Sequence, residues 1–326
     1  MFLLFIHAFT SLRAQAGIGS DFCFMWYNVE NLFYPENDSL PGDDEYTPEG
    51  LRHWTWFRYQ AKLTALAKVI IASGEDAPPD LVGLCEVESA RVLEDLSTHP
   101  ILAPYQYSYL HKEGHDHRGM DVACLFRSVS TDLIQWECFT FRAPVSATRD
   151  IMHICFRLAS DTMDIFLVHL VSKYRGAGAT ALLRRMQTEQ LVYLMDSVYK
   201  KRSRILLMAA GDFNESYEGY SMEPLRNAQF GDEVLSSLKS SAGSGTYKYR
   251  GRWSSIDQIL LTEKMLRYRV HVATLQISPL LTEDLQFGGQ KPRRCYEGYL
   301  YKGGISDHLP LLVNLYSSLS SVPGGQ

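Results

Sequence analysis

The feature that most constrains this chain is a series of short apolar runs, rich in β-branched and aromatic residues, spread along nearly its whole length. They cover residues 22–29, 81–87, 105–110, 121–127, 134–141, 151–158, 163–171, 205–210, 255–261, 270–277 and 309–316. Runs of this composition read as strands. Eleven strands are too many for one ordinary open sheet, and two sheets stacked face to face accommodate them better. Two segments between them have helical period. One is 56–72, with Leu63, Leu66, Ala67 and Ile70 on one face; the other is 179–200, with Leu182, Leu183, Met186, Leu191 and Leu194. Strands and helices mixed without strict alternation predict an α+β fold, two mainly antiparallel sheets flanked by helices.

The 326 residues, 46% of them hydrophobic, suffice for one large domain or two fused halves. No fixed-period repeat or low-complexity linker divides them, so one domain is expected over 21–318, with a tail at 319–326. Residues 1–16 join an apolar run to the small-residue pattern Ala14-Gln15-Ala16, as an export leader does, although no Lys or Arg precedes the run. Export to a periplasmic or extracellular space is the expectation. No apolar run approaches the ~20 residues of a membrane span. The six cysteines include no Cys-x-x-Cys pair, and five sit in strand-like runs, so they read as small buried hydrophobes. The polar stretches 35–49, 112–118 and 282–304 read as loops.

Polar residues fall at the ends of these strands repeatedly. Run 205–210 leads into Gly211-Asp212-Phe213-Asn214, and Ser306-Asp307-His308 introduces the last run. The same happens at Asn28, Glu86, His169 and Asp257. A strand end is a rigid mount, so such residues can converge beyond a sheet edge. Singly, each has an ordinary reading: an Asx turn, a capped carbonyl, a solvent-facing acid. As a set they are hard to explain as turns.

The ordered set Asn28-Val29-Glu30-Asn31-Leu32-Phe33, Cys85-Glu86-Val87, Val168-His169-Leu170, Gly211-Asp212-Phe213-Asn214, Ile256-Asp257 and Ser306-Asp307-His308-Leu309-Pro310 resembles the motifs of the endonuclease/exonuclease/phosphatase family, the deoxyribonuclease-I-like fold. The resemblance implies a four-layer α/β/β/α sandwich with a metal-dependent phosphodiesterase cleft at one edge. It implies that Glu86, with Asn28 and Asp307, holds a divalent metal. His308, oriented by Asp257 and with Asp212 beside it, would activate water, while Asn214 and His169 contact the phosphate. Hard oxygen ligands without sulfur suit Mg²⁺ or Mn²⁺. A histidine backed by a carboxylate suits proton transfer near neutral pH.

Asp121 is a further candidate, to orient His169. Arg118 and Arg149 are the candidate phosphate clamps, since guanidinium groups read phosphate oxygens bidentately. Lys173-Tyr174-Arg175, Arg293-Arg294, Tyr296 and Tyr299 should also border the cleft. In the segment 52–59, Thr55 is placed as a helix cap and Trp56 and Phe57 as anchors of the helix on the sheet. The expected activity is that of a nuclease acting as a monomer on nucleic acid, with no protein partner. A lipid or inositol-phosphate phosphoesterase and an inactive binding module on the same fold are the alternatives. The formal net charge of −5 argues against a protein that coats duplexes. The lipid reading asks for an exposed aromatic-apolar hairpin, and no stretch of the sequence presents one. The binding-module reading asks for a missing ligand or base, and every position is filled.

Overall fold

The computed structural model describes residues 21–36, 44–116, 118–141, 148–158, 161–173, 176–202, 205–238, 240 and 245–316. The expected leader and the tail at 319–326 lie outside these. In chain order the strands are β1 (Phe22–Leu32), β2 (Leu81–Val87), β3 (Tyr107–Leu110), β4 (Asp121–Arg127), β5 (Asp132–Phe139), β6 (Ile151–Leu158), β7 (Asp161–His169), β8 (Ile205–Asp212), β9 (Gln229–Phe230) and β10 (Glu233–Ser237). They continue as β11 (Tyr247–Tyr249), β12 (Arg252–Ser254), β13 (Asp257–Thr262), β14 (Arg269–Thr274), β15 (Leu281–Glu283), β16 (Gln290–Pro292), β17 (Tyr296–Glu297), β18 (Leu300–Tyr301) and β19 (Leu311–Tyr316). The longer helices are α1 (Trp56–Ser73), α2 (Ala90–Ser97) and α3 (Ala177–Lys201).

A six-stranded sheet has the order β14-β19-β1-β2-β4-β3, and a seven-stranded sheet the order β5-β6-β7-β8-β13-β10-β9. Each contains one parallel pair, β1 with β2 and β7 with β8; the other pairings within them are antiparallel. Parallel neighbours need a crossover. The crossovers contain α1 and α3, the two helices foreseen from periodicity. The pairing also brings the carboxyl ends of β1, β2, β7 and β8 to one edge of the sandwich.

Alternate residues of the central strands serve different layers. Phe24 and Trp26 of β1 face the second sheet, joining Phe156, Ile165, Leu167, Met208 and Ile259. Met25 and Tyr27 face α1 and α2, with Leu63, Leu66, Ile70 and Leu93. On the far side Phe166, Val168 and Leu207 pack on Leu191, Leu194 and Met195 of α3. This is the expected α/β/β/α layering, and burial on both faces explains why the strands read as continuous apolar runs. Each large side chain so buried contributes roughly 1.5–3 kcal/mol.

Three expectations need correction, and those for Thr55 and the cysteines hold. Phe57 is 80% exposed and Trp56 is also on the surface, so neither anchors α1; Trp54 and Tyr59 do, both fully buried. Thr55 does cap the helix, accepting from Arg58 N. Leu182 is exposed, because the first half of α3 turns Arg184, Gln187 and Thr188 inward instead. The stretch 282–304 is not a loop but contains parts of two short hairpins, β15–β16 and β17–β18. The cysteines are all unpaired thiols, five buried and Cys138 partly so.

Candidate active site

The edge where the parallel strands end is also where the backbone is most unusual. Seven non-glycine residues have positive φ among those described, and four of them, Glu30, Asn31, Glu86 and Asn214, lie here. That conformation costs of order 1–3 kcal/mol per residue and concentrates at functional sites. For Glu30, Asn31 and Glu86 it follows from bulges: the β1–β2 register shifts between Asn28 and Leu32, and the β2–β4 register between Cys85 and Val87. A bulge re-aims side chains, and these two turn Asn28 and Glu86 toward the seam between the sheets. On the other sheet Gly211 lets β8 approach β7, since a Cβ there would lie 2.3 Å from Val168 O. Asp212 then stands directly opposite His169 and Asp257 in register.

Side chains from the two sheets meet across this seam. His308 Nδ1 lies 2.7 Å from Asp257 Oδ2, and its Nε2 is 3.8 Å from Asp212 Oδ2. Asp257 is held by two more donors, Trp26 Nε1 at 3.0 Å and Thr246 Oγ1 at 2.6 Å. Asn28 Nδ2 donates to Asp212 Oδ2 at 3.1 Å and Glu86 Oε1 at 3.3 Å. His169 Nε2 is 3.8 Å from Asp212 Oδ2 and 3.9 Å from Glu86 Oε1. Asn31 N donates to Glu86 Oε2 at 2.9 Å. Seven sequence-derived candidates therefore reach one place: Asn28, Glu86, His169, Asp212, Asp257, Asp307 and His308. Asp307 sits at the mouth, with Oδ1 4.0 Å from His308 Nε2 and Oδ2 2.6 Å from an Arg294 nitrogen.

Burial governs the charges. It holds His169 well below the ordinary histidine range, helped by Arg149 and Arg118, so this ring is neutral at pH 7. It also pushes Asp212 up to about 7, aided by Asp257 and opposed by His308. For His308 burial works the other way, disfavouring charge, but Asp257 and Asp212 outweigh it and hold the imidazolium well above its usual range. At neutral pH His308 thus carries a proton beside Asp212, whose proton is in balance.

The metal reading fits part of this donor set. Glu86 offers Oε1 to the cleft while its other oxygen is fixed by backbone. Asn28 fits less well: its Oδ1 accepts Glu30 N at 3.0 Å, and swapping oxygen for nitrogen would set the amide oxygen against two carboxylates. Its amide therefore orients Glu86 and Asp212 rather than presenting oxygen. Asp212, Asp257 and His308 are close enough to hold an ion. Asp257, however, already accepts from Trp26, Thr246 and His308, so that trio is better suited to moving protons.

Other candidates lie to the side. Asp121 does not reach His169: it pairs with His111 Nε2 at 3.1 Å and accepts from Gly114 N. Its role is to fasten the loop after β3. Arg149 and Arg118 converge on Asp116, at 3.2 and 3.8 Å. Asn214 Nδ2 donates to Leu170 O, and its backbone N donates to Asp212 Oδ1 at 2.8 Å. Tyr174 and Arg175 lie outside the described residues. Arg294, expected to border the cleft, and Ser306, given no role of its own in advance, belong to the site's frame; Ser306 Oγ donates to Asn28 O and accepts His308 N. The Ser-Asp-His spacing was the signal for Ser306, whereas nothing in the sequence marked the pairing of Arg294 with Asp307.

An edge built this way suits phosphoester hydrolysis, and the class of protein it points to is a phosphoesterase. The chain belongs to the Endonuclease/Exonuclease/phosphatase family, whose sequence profile matches residues 23–317. Comparison with curated protein sequences gave no match. Similar solved structures include the human Nocturnin catalytic domain with bound sulfate, at 15% identity over 90% of this chain and 93% of that one, with TM-score 0.57. Truncated TDP2 from Caenorhabditis elegans has 13% identity, 91% and 98% coverage and TM-score 0.57. A family protein from Bacteroides vulgatus has 14% identity, 91% and 99% coverage and TM-score 0.58. At these identities the likeness concerns the fold.

Proposed function

We propose that the chain hydrolyses phosphodiesters with Mg²⁺ or Mn²⁺, by attack of a water molecule that the site deprotonates. The observation that carries this reading is the Asp257–His308–Asp212 arrangement, with a 2.7 Å contact on one ring nitrogen and a carboxylate 3.8 Å from the other. Asp257 fixes the ring so that Nε2 faces the cleft, the logic of a catalytic triad without a protein nucleophile. The residues suggest a refinement of the assignment made from sequence. His308 is favoured as imidazolium, so it gives its proton to the leaving oxygen as that P–O bond breaks, and Asp212, balanced near neutrality, takes the proton of the attacking water. His169, neutral and buried beside Asp212 and Glu86, would contact the phosphate, while Arg118 and Arg149, held on Asp116, supply positive charge around it. Glu86 would hold the metal, which supplies charge stabilisation at the phosphoryl group when bound.

Nucleic acid is the substrate expected from the sequence. A phospholipid is the second reading, favoured by the apolar hairpin tips described below. The test is hydrolysis of plasmid DNA, RNA, phospholipids, phosphoinositides and bis-p-nitrophenyl phosphate with Mg²⁺ or Mn²⁺. His308→Ala should lower kcat about 10²- to 10⁴-fold on whichever is cleaved, and EDTA should abolish turnover. Activity that survives both changes would falsify the mechanism.

A further inference from the structure

Two hairpins beside His308 carry side chains that no core accounts for. Leu285 is 88% exposed, and Tyr249 and Phe287 are exposed as well. Tyr249 ends β11, and the turn to β12 is tight, with positive φ at Arg250 and Gly251. Leu285 and Phe287 lie in the loop between β15 and β16, where Asp284 accepts from Gln286 N and Phe287 N. The hairpins are locked together: Lys248 Nζ lies 2.8 Å from Asp284 Oδ2, both side chains being buried, and donates to Gly288 O at 2.7 Å. Phe287 packs against Gly251, where an added Cβ would lie 2.9 Å from the Phe287 Cβ. At its base this knuckle joins the catalytic edge, since Tyr247 forms a bridge with His308 and the two rings lie 4.9 Å apart. Tyr249 is two residues further out, about 7 Å along the strand.

We propose that this knuckle seats the protein on a phospholipid bilayer, with Leu285, Phe287 and Tyr249 entering the headgroup–acyl boundary and Arg250 and Arg252 meeting lipid phosphates. The inference rests on the phosphoesterase reading for its purpose, since docking there would set the cleft against headgroup phosphodiesters. Three observations favour lipid over nucleic acid. Leu285, the most exposed of the three, has no π face on which a base could stack. A nucleic-acid strand asks for a basic track, and the chain's net charge is −5. Its composition is that of an interfacial anchor: an aliphatic tip, a Tyr with an apolar body and polar end, and exposed arginines able to keep their heads in the headgroup layer. The sequence hid this surface because two separate hairpins build it and neither is apolar throughout.

The experiment is co-sedimentation of the full chain with phosphatidylcholine vesicles, with and without phosphatidylglycerol, in EDTA. It reads partition alone, so an inactive cleft leaves it unaffected, and failure of the phosphoesterase reading shows only in the hydrolysis panel. The wild type should partition onto vesicles. Leu285→Ser with Phe287→Ser should weaken that at least tenfold with an unchanged thermal unfolding midpoint. Arg250→Gln with Arg252→Gln should remove the extra binding brought by phosphatidylglycerol. A wild type that stays in solution, or a Leu285/Phe287 double variant that partitions equally, overturns the proposal. So does a double variant that loses affinity for a single-stranded oligonucleotide while keeping that for vesicles.

Discussion

Asp212 accepts hydrogen bonds from Asn28 Nδ2 and Asn214 N, yet burial among other carboxylates leaves it with a proton affinity near neutrality. If it takes the water's proton, only its deprotonated form is active. The rate at saturating metal should then rise with pH through about 7 and level off above it. Binding of a divalent cation beside Glu86 would shift that limb downward, because positive charge favours the carboxylate. Asp212→Asn should remove the limb along with most of the activity, as read from kcat profiles between pH 5 and 9. An unmoved limb in that variant assigns it to another group. At this scale the sequence was informative about which residues meet, because each lies at or beside the end of an apolar run. It was silent about what they do to one another. Neither the amide orientation of Asn28 nor the pairing of Asp121 with His111 follows from spacing, since both depend on bulges and on the course of a loop.

At the scale of elements, the strands were legible because a strand buried on both faces leaves an unbroken apolar run. Helix faces were less so. Around the start of α1, Trp54, Trp56 and Phe57 are equally hydrophobic, and only the entry angle of the chain decides which turns inward. Trp54 does, with Nε1 donating to Phe33 O at 2.9 Å and Tyr46 and Tyr296 packed on its ring. Trp54→Ala should cost about 3–5 kcal/mol, the range for large-to-small changes in a core. Phe57→Ala should stay within about 0.5 kcal/mol. Urea unfolding followed by fluorescence distinguishes the two, and comparable losses would contradict this burial pattern. The short hairpins from β11 onward escaped notice for a different reason: rich in Tyr, Gly, Lys and Arg, they alternate too briefly to show a period.

For the whole molecule, the question is how the late hairpins stay fixed to a sandwich whose sheets are complete without them. Glu30, in the β1 bulge and almost fully buried, accepts from Cys295 N at 2.7 Å and Tyr296 N at 3.2 Å, while Lys62 donates to its backbone carbonyl. One carboxylate thus ties the segment leading into β17 to the catalytic strand, and Arg294 in that segment clasps Asp307. Burial and the Asp307 charge push the Glu30 carboxyl up to about 7, against the pull of Lys62 and Arg294. The folded-state affinity for the proton therefore exceeds that of the unfolded chain, whose value is near 4.5. The stability associated with that proton is fully present below about 4.5 and is lost as pH rises through about 7, with a limiting slope of about 1.4 kcal/mol per pH unit. Asp212 and His308 contribute with the same sign. Glu30→Gln, which cannot change charge, should reduce the fall in unfolding free energy between pH 5 and 7.5 without abolishing it. It should also be less stable than the wild type at pH 5, because its amide NH₂ cannot accept from one of the two backbone donors. Denaturant titrations across that range measure both effects. A variant with the wild-type slope would show that the hairpins are held by something other than this carboxylate.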